Sequence, residues 1–156
     1  WDIVDLGCGT GLCGVAFHDR ARRLVGSDLS PRMIELARAR GIYAELYAED
    51  LLVTLARANA DLVIAGDVFV YVGALEATFA ACATTLRTGG WLAFSTERQS
   101  GDGVMLQPSL RYAHSDRYIC ELATSTGFTV VGQREATLRT DHGRPIAGTF
   151  WALQRY

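Results

Sequence analysis

VDLGCGTGLCG, Val4 to Gly14, follows an apolar run that begins at Trp1. The acid Asp5 stands just before the first glycine, and Gly7, Gly9 and Gly11 have the spacing GxGxG. Glycines here admit positive φ and let a ligand approach the backbone, while a helix that follows offers unpaired N–H groups at its start. A strand, a glycine loop and a helix in that order form the first unit of an open α/β sheet, whose ligands sit at the carboxyl ends of the strands.

Outward from the loop the alternation continues. "WDIVDL" reads as the first strand, and the first helix runs from the loop to about Arg20, with His18 on its surface. "RRLVGSD" is the second strand, and "SPRMIELARARG" is a helix capped by Ser30, with Pro31 at its first position and Gly41 as its stop. "IYAELYAED" is the third strand with its exit, and "DLVIAGD" is a fourth strand buried on both faces. Leu75, Phe79, Cys82, Ala83 and Leu86 share a helical face, and "WLAFSTE" is the fifth strand. The polar stretch from Arg98 to Ser115 is long enough to be a functional loop, and "SDRYICELATSTG" is a helix. "FTVVGQREATLR" and "AGTFWALQRY" are two strands joined by "TDHGRPI", which predicts an antiparallel hairpin.

The chain's 156 residues, 49% hydrophobic content and three prolines describe a single globular domain over 1–156. Trp1 stands immediately before a core strand, so a segment ahead of it is expected. Cys8, Cys13, Cys82 and Cys120 lie in apolar stretches with no CxxC spacing and no nearby histidine. They read as reduced, buried thiols of a cytoplasmic protein, and no metal site is expected. A net charge of −2 argues against a general nucleic-acid footprint. No apolar run is long enough to cross a bilayer, and no signal segment opens the chain.

Asp28 stands 21 residues after Gly7, at the carboxyl end of the second strand. A carboxylate there accepts hydrogen bonds from both hydroxyls of a ribose. A dinucleotide fingerprint needs GxGxxG, and Leu12 occupies the place of its third glycine. Asp5 would repel a diphosphate and suits an ammonium or sulfonium.

With these features in place the sequence resembles the class I S-adenosylmethionine-dependent methyltransferases. The resemblance rests on "VDLGCGTG", "VGSDLSPRMIELA", "AEDL", "DLVIAGDVFVYV" and "LRTGGWLAFSTE", in order and at the right separations. More narrowly, "RYAHSDRYICELATSTGF" and "TLRTDHGRPIAGTFWALQRY" look like the carboxyl part of bacterial methyltransferases that often carry tetratricopeptide repeats, which these 156 residues lack. The resemblance implies a Rossmann-like α/β three-layer sandwich, with a mainly parallel seven-stranded sheet and a carboxyl-terminal antiparallel hairpin. It also implies S-adenosylmethionine as methyl donor and S-adenosylhomocysteine as product.

On the matching positions, the resemblance places Asp5, Gly7, Gly9 and Gly11 around the methionine moiety and ribose, and gives Asp28 the ribose hydroxyls. Leu29 and Met33 would lie against the adenine, Asp50 would accept from its exocyclic amine, and the Leu51 N–H would face a ring nitrogen. Asp67 and Val68 would line the methyl-transfer region. Asp50 also reads as the N-cap of the helix starting "LLVTLARA", and the two roles are compatible. Met33 reads equally as core.

Methyl transfer from a sulfonium is an in-line displacement that needs no covalent intermediate. Orientation alone can supply about 7–11 kcal/mol, and a base is required only where the acceptor must lose a proton. Asp67 and His114 are the candidate catalytic groups, with His142 a further titratable residue on the same rim. Tyr71, Arg111 and Tyr112 are candidates for shaping an acceptor pocket. The stretch after the fourth strand is "GDVF", not the "NPPY" or "DPPY" of amino-methylating nucleic-acid enzymes of this fold, which leaves small-molecule and protein acceptors. A non-catalytic nucleoside-binding or interaction module is the alternative, and an NAD-dependent oxidoreductase is third.

Overall fold

The computed structural model describes residues 1–141 and 143–156. Its elements, in chain order, are β1 (Asp2–Leu6), α1 (Leu12–Phe17), β2 (Arg23–Asp28), α2 (Pro31–Arg38), β3 (Glu45–Ala48), α3 (Leu51–Arg57), β4 (Ala60–Ala65), α4 (Glu76–Thr85) and β5 (Leu86–Arg98). There follow β6 (Val104–Leu106), β7 (Tyr112–His114), α5 (Asp116–Ser125), β8 (Phe128–Asp141) and β9 (Arg144–Arg155). Short 3₁₀ turns cover His18–Arg20 and Phe69–Tyr71.

The sheet runs β3-β2-β1-β4-β5, all parallel, and the direction of winding reverses between β1 and β4. β9 lies antiparallel along β5, and β8 lies antiparallel along β9. Helices cover both faces. Leu55 of α3, Phe79 of α4 and Ile119 of α5 enter one apolar cluster, whereas Phe17 of α1 packs with Ile3, Leu24 and Ile64 on the other side. The larger cluster holds a tilted pair, Phe69 with Phe94 at 5.1 Å, and an edge-to-face pair, Phe79 with Phe94 at 5.5 Å between ring centroids. Truncating a wholly buried ring such as Phe79 costs about 3–5 kcal/mol.

The fold class is the expected one, but among the described residues the sheet has nine strands. The stretch from Arg98 to Ser115 is not an open loop, because it carries the β6–β7 hairpin. β4 is last paired to β5 at Ala65↔Phe94, and Glu97 then pairs with Ala113 on one side and Gly148 on the other. β7 therefore takes over the flank of β5 that β4 leaves. The first helix ends at Phe17, and β3 starts at Glu45 rather than Ile42. Ser30 caps α2 as expected, its Oγ accepting from the Met33 N–H, and Gly41 has φ 68°.

β8 and β9 reach Asp141 and Arg144, so little of the expected polar connection is left outside the ladder. Beyond the Ala136↔Gly148 pair, residues 137–141 and 144–147 run on past the pairing with β5 as a ribbon roughly 15 Å long. One residue, Leu138, is bulged out between the Thr137↔Ala147 and Arg139↔Ile146 pairs. It packs over Gly148, where a Cβ would come within 2.3 Å of the Leu138 side chain and 2.5 Å of the Thr96 carbonyl oxygen. Among the described residues, no helix is long and apolar enough to cross a membrane.

Candidate functional site

At the reversal of winding, a cavity of about 320 Å³ opens at the carboxyl ends of β1, β2 and β4. Gly7, Ser27, Asp28 and Leu29 form one wall, Glu49, Asp50 and Leu51 a second, and Asp67, Val68, Tyr71 and Val72 the third. The glycine loop builds the first wall by close approach. Gly7 has φ 56°, and a Cβ on it would lie 2.6 Å from a Val68 methyl. The Gly9 N–H donates to Asp28 Oδ2 at 3.0 Å and the Ser30 N–H donates to Oδ1 at 2.8 Å, so loop and helix cap together fix the carboxylate.

Asp28, Glu49, Asp50 and Asp67 put four carboxylates on the walls, and among the described residues no arginine lines them. Each acid also has a structural partner. Glu49 accepts from Thr54 Oγ1 at 2.6 Å and pairs with Arg57. Asp50 caps α3, accepting from the Leu52 N–H at 2.8 Å. Asp67 has φ 57°, its N–H donates to Ser95 Oγ at 2.9 Å, and its carboxylate meets Arg139 of the ribbon at 2.5 Å. The other arm of Arg139 reaches Glu97, which is buried at the end of β5 and also accepts from Gln107.

Of the residues singled out in the sequence, Gly7, Asp28, Leu29, Asp50, Leu51, Asp67 and Val68 come together on the cavity walls. Asp5, Gly9, Gly11 and Met33 do not line it. Asp5 is 1% exposed and accepts from the Tyr43 hydroxyl at 2.7 Å, and burial pushes its carboxyl up to about 6. Gly9 acts through Asp28, Gly11 begins α1 in the left-handed conformation, and Met33 is half-buried in the first turn of α2.

His114 needs correction as a candidate base. It is wholly buried on β7, its Nε2–H donates to the Gly73 carbonyl at 2.9 Å, and its ring stacks on Tyr118. Burial holds the imidazole below its ordinary pKa, and the residue takes no part in the cavity walls. The pairing of β7 with β5 and β6 turns the ring inward. His18 is exposed in a 3₁₀ turn, and His142 lies outside the described residues. Tyr71 is on the cavity wall with the Arg111 guanidinium 5.9 Å above its ring centre, and Arg111 also pairs with Asp141 at 3.4 Å. Tyr112 packs against Gly73.

Among the residues of the site that carried no assignment in the sequence are Ser27, Glu49, Glu97 and Arg139. Glu49 and Ser27 adjoin Asp50 and Asp28, and that adjacency was a usable signal. Arg139 had none, since its partners lie 72 and 42 positions away. A second recess, of about 100 Å³, opens among the amino-terminal ends of β1, β2 and β3. It is the wrong end of a parallel sheet for a ligand.

The family model described as "Methyltransferase domain" matches residues 4–94, more than half of the chain. The chain belongs to the methyltransferase domain family. The matched region runs from β1 into β5 and contains every wall of the cavity. The β6–β7 hairpin, α5 and the ribbon lie beyond it. Over 99 residues, the methyltransferase chain is 36% identical to the malonyl-[acyl-carrier protein] O-methyltransferase of Acetivibrio thermocellus, covering 61% of this chain and 35% of that protein. Over 100 residues, it is 27% identical to the ubiquinone biosynthesis O-methyltransferase of Bordetella avium, covering 60% and 42%. The aligned part thus spans less than half the length of these curated relatives.

Two solved structures share the fold across nearly the whole methyltransferase chain. A SAM-dependent methyltransferase from Methanosarcina mazei superposes with a TM-score of 0.77 at 18% identity, covering 98% of this chain and 91% of that one. The magnesium protoporphyrin IX methyltransferase of Synechocystis PCC 6803, solved with bound S-adenosylhomocysteine, gives 0.77 at 19% identity, covering 99% and 73%.

Proposed function

We propose that this chain binds S-adenosylmethionine in the cavity at the carboxyl ends of β1, β2 and β4 and transfers its methyl group to an oxygen of a small molecule or protein-borne acceptor. The observation that carries the reading is the wall chemistry: four carboxylates, no guanidinium, and a glycine approach at Gly7 that any side chain would block. A cationic amino-acid nucleoside fits such walls. A dinucleotide would set its diphosphate among Asp28, Glu49, Asp50 and Asp67, and the neighbouring Arg57 and Arg139 are already paired with Glu49 and Asp67.

The donor supplies an electrophilic methyl group on a sulfonium. The work of the chain is to hold it in line. Asp28, with its two oxygens fixed by the Gly9 and Ser30 N–H groups, presents its free lone pairs to the ribose hydroxyls. Asp50 and the Leu51 N–H, at the start of α3, take the base. Asp67 and Val68 bound the reacting end beside Tyr71. An acceptor hydroxyl that must lose its proton gives it to Asp67, whose side chain is 43% exposed at the mouth. Oxygen as the accepting atom is supported by the names of the relatives.

Thermal unfolding tests the reading. S-adenosylhomocysteine should raise the melting temperature, since a ligand at 100 times its Kd adds about 2.7 kcal/mol of stability, and NAD should leave it unchanged. A shift with NAD and none with the homocysteine nucleoside would overturn it. Transfer of a labelled methyl group to phenol and carboxylate panels then identifies the acceptor class.

A further inference from the structure

Ser27 is the penultimate residue of β2 and one of the cavity-lining residues. It is 1% exposed, and among the described residues its Oγ has no hydrogen-bond partner. The other polar side chains around it are engaged: Asp28 with the Gly9 and Ser30 N–H groups, Asp50 with Leu52, Glu49 with Thr54 and Arg57. Strand alternation sets the side chains of Val25 and Ser27 on the opposite face of β2 from Gly26 and Asp28. Val25 shares a recess with Thr54, Arg57 and Ala58, so this is the face that α3 covers. The unpartnered hydroxyl thus stands under the wall where Asp50 and Leu51 begin α3.

A buried hydroxyl without a partner is costly, and the great majority in folded proteins find one in protein or ordered water. Ser27 borders the cavity, although its Oγ is closed off from it in the rotamer seen. Rotation about χ1 between staggered wells re-aims the oxygen without moving the strand. We propose that Ser27 is a ligand-contacting residue of the nucleoside half of the cavity, its hydroxyl bonding a base or sugar heteroatom of the bound adenine nucleoside. This rests on the reading of the cavity as a donor site.

Calorimetric titration of Ser27→Ala and wild type with S-adenosylhomocysteine and with 5′-methylthioadenosine, which lacks the amino-acid end, tests it. One neutral hydrogen bond corresponds to a loss of roughly 3- to 10-fold in affinity. That loss should be the same for both ligands, with the variant melting no lower than wild type, because alanine leaves no orphaned hydroxyl. Ser27→Cys, which keeps the shape, should also weaken binding. Equal affinity of Ser27→Ala and wild type would assign the hydroxyl to a structural water and overturn the proposal. A loss for S-adenosylhomocysteine alone would overturn it too, since it would put the contact at the amino-acid end. If wild type bound neither ligand, the donor-site reading itself would fail, which is a different result from equal binding.

Discussion

Arg139 meets Asp67 at 2.5 Å across the mouth of the cavity, although 72 positions separate them in the chain. The same guanidinium reaches Glu97, whose side chain is 4% exposed. One side chain of the ribbon therefore joins the exits of β4 and β5, and Gln107 extends the connection to the β6–β7 hairpin. The two contacts differ in weight. Asp67 is half open to water, so its pairing is screened, whereas Glu97 has exchanged water for the protein interior.

Arg139→Met strands the Glu97 carboxylate, and removal of one partner of a buried pair costs about 3 kcal/mol or more. Urea unfolding should show a lower midpoint with an unchanged slope. Adding Glu97→Gln should restore part of the loss, because the orphaned charge is then gone. Strict additivity of the two substitutions would show that the residues do not interact.

Asp5 gives the protein a pH-dependent stability of unusual sign for an acid. Its carboxyl titrates near 6 in the folded chain because burial disfavours the anion, against an ordinary value of 3.8. Between those values the folded state binds more protons than the unfolded one, so stability falls as pH rises from about 4 to 6, by about 3 kcal/mol in all. Asp5→Asn keeps an acceptor for the Tyr43 hydroxyl and removes the titration. Its advantage over wild type should be small at pH 4 and widest at pH 7, and a constant gap in unfolding midpoint would refute this origin.

His114 acts in the opposite direction. Its Nε2–H is committed to Gly73, among the described residues its buried Nδ1 has no hydrogen-bond partner, and burial disfavours the imidazolium. The folded-state pKa is lowered, and stability is lost as pH falls through the ordinary value of 6.5. His114→Gln should flatten the acid limb below that pH while leaving the affinity for S-adenosylhomocysteine at the wild-type level. A loss of affinity would return the residue to the site.

Gly7→Ala combines two penalties, a left-handed backbone costing about 1–2 kcal/mol and a crowded Val68 costing about 1–3 kcal/mol. In a Val68→Ala background only the first should remain. Comparing the two melting points separates them, and ligand affinity should fall with Gly7→Ala in either background because the new methyl group occupies the wall.

The sequence showed most clearly what repeats or is locally determined. β1, the glycine loop, Ser30 and Pro31 at α2, and Asp50 at α3 are all defined within a few residues, and Gly7, Asp28, Leu29, Asp50 and Leu51 of the cavity walls lie in or beside such signals. β6 and β7 escaped because three-residue strands have too few positions for an alternation to show, and they exist only by pairing with each other and with the end of β5. His114 was misassigned for the same reason, since a histidine before a helix cap looks exposed until β7 buries it. Glu97 and Arg139 look like ordinary charges of solvated strand ends. Only the fold of the ribbon over β5 makes them partners.

The bulge at Leu138 gives the ribbon one residue of slack. Arg139 stands opposite Ile146 because pairing passes from Thr137 to Arg139 without using Leu138. A chain shortened by Leu138 alone, with its ladder closed from the sheet side, would still set Arg139 opposite Ile146 and toward Asp67. Shortening by Thr137 as well would bring Arg139 opposite Ala147, on the face of the ribbon that Trp151 shares, since successive residues of a strand alternate sides. At this point a methyltransferase of this build can lose one residue and keep its wiring, and the next loss would break it.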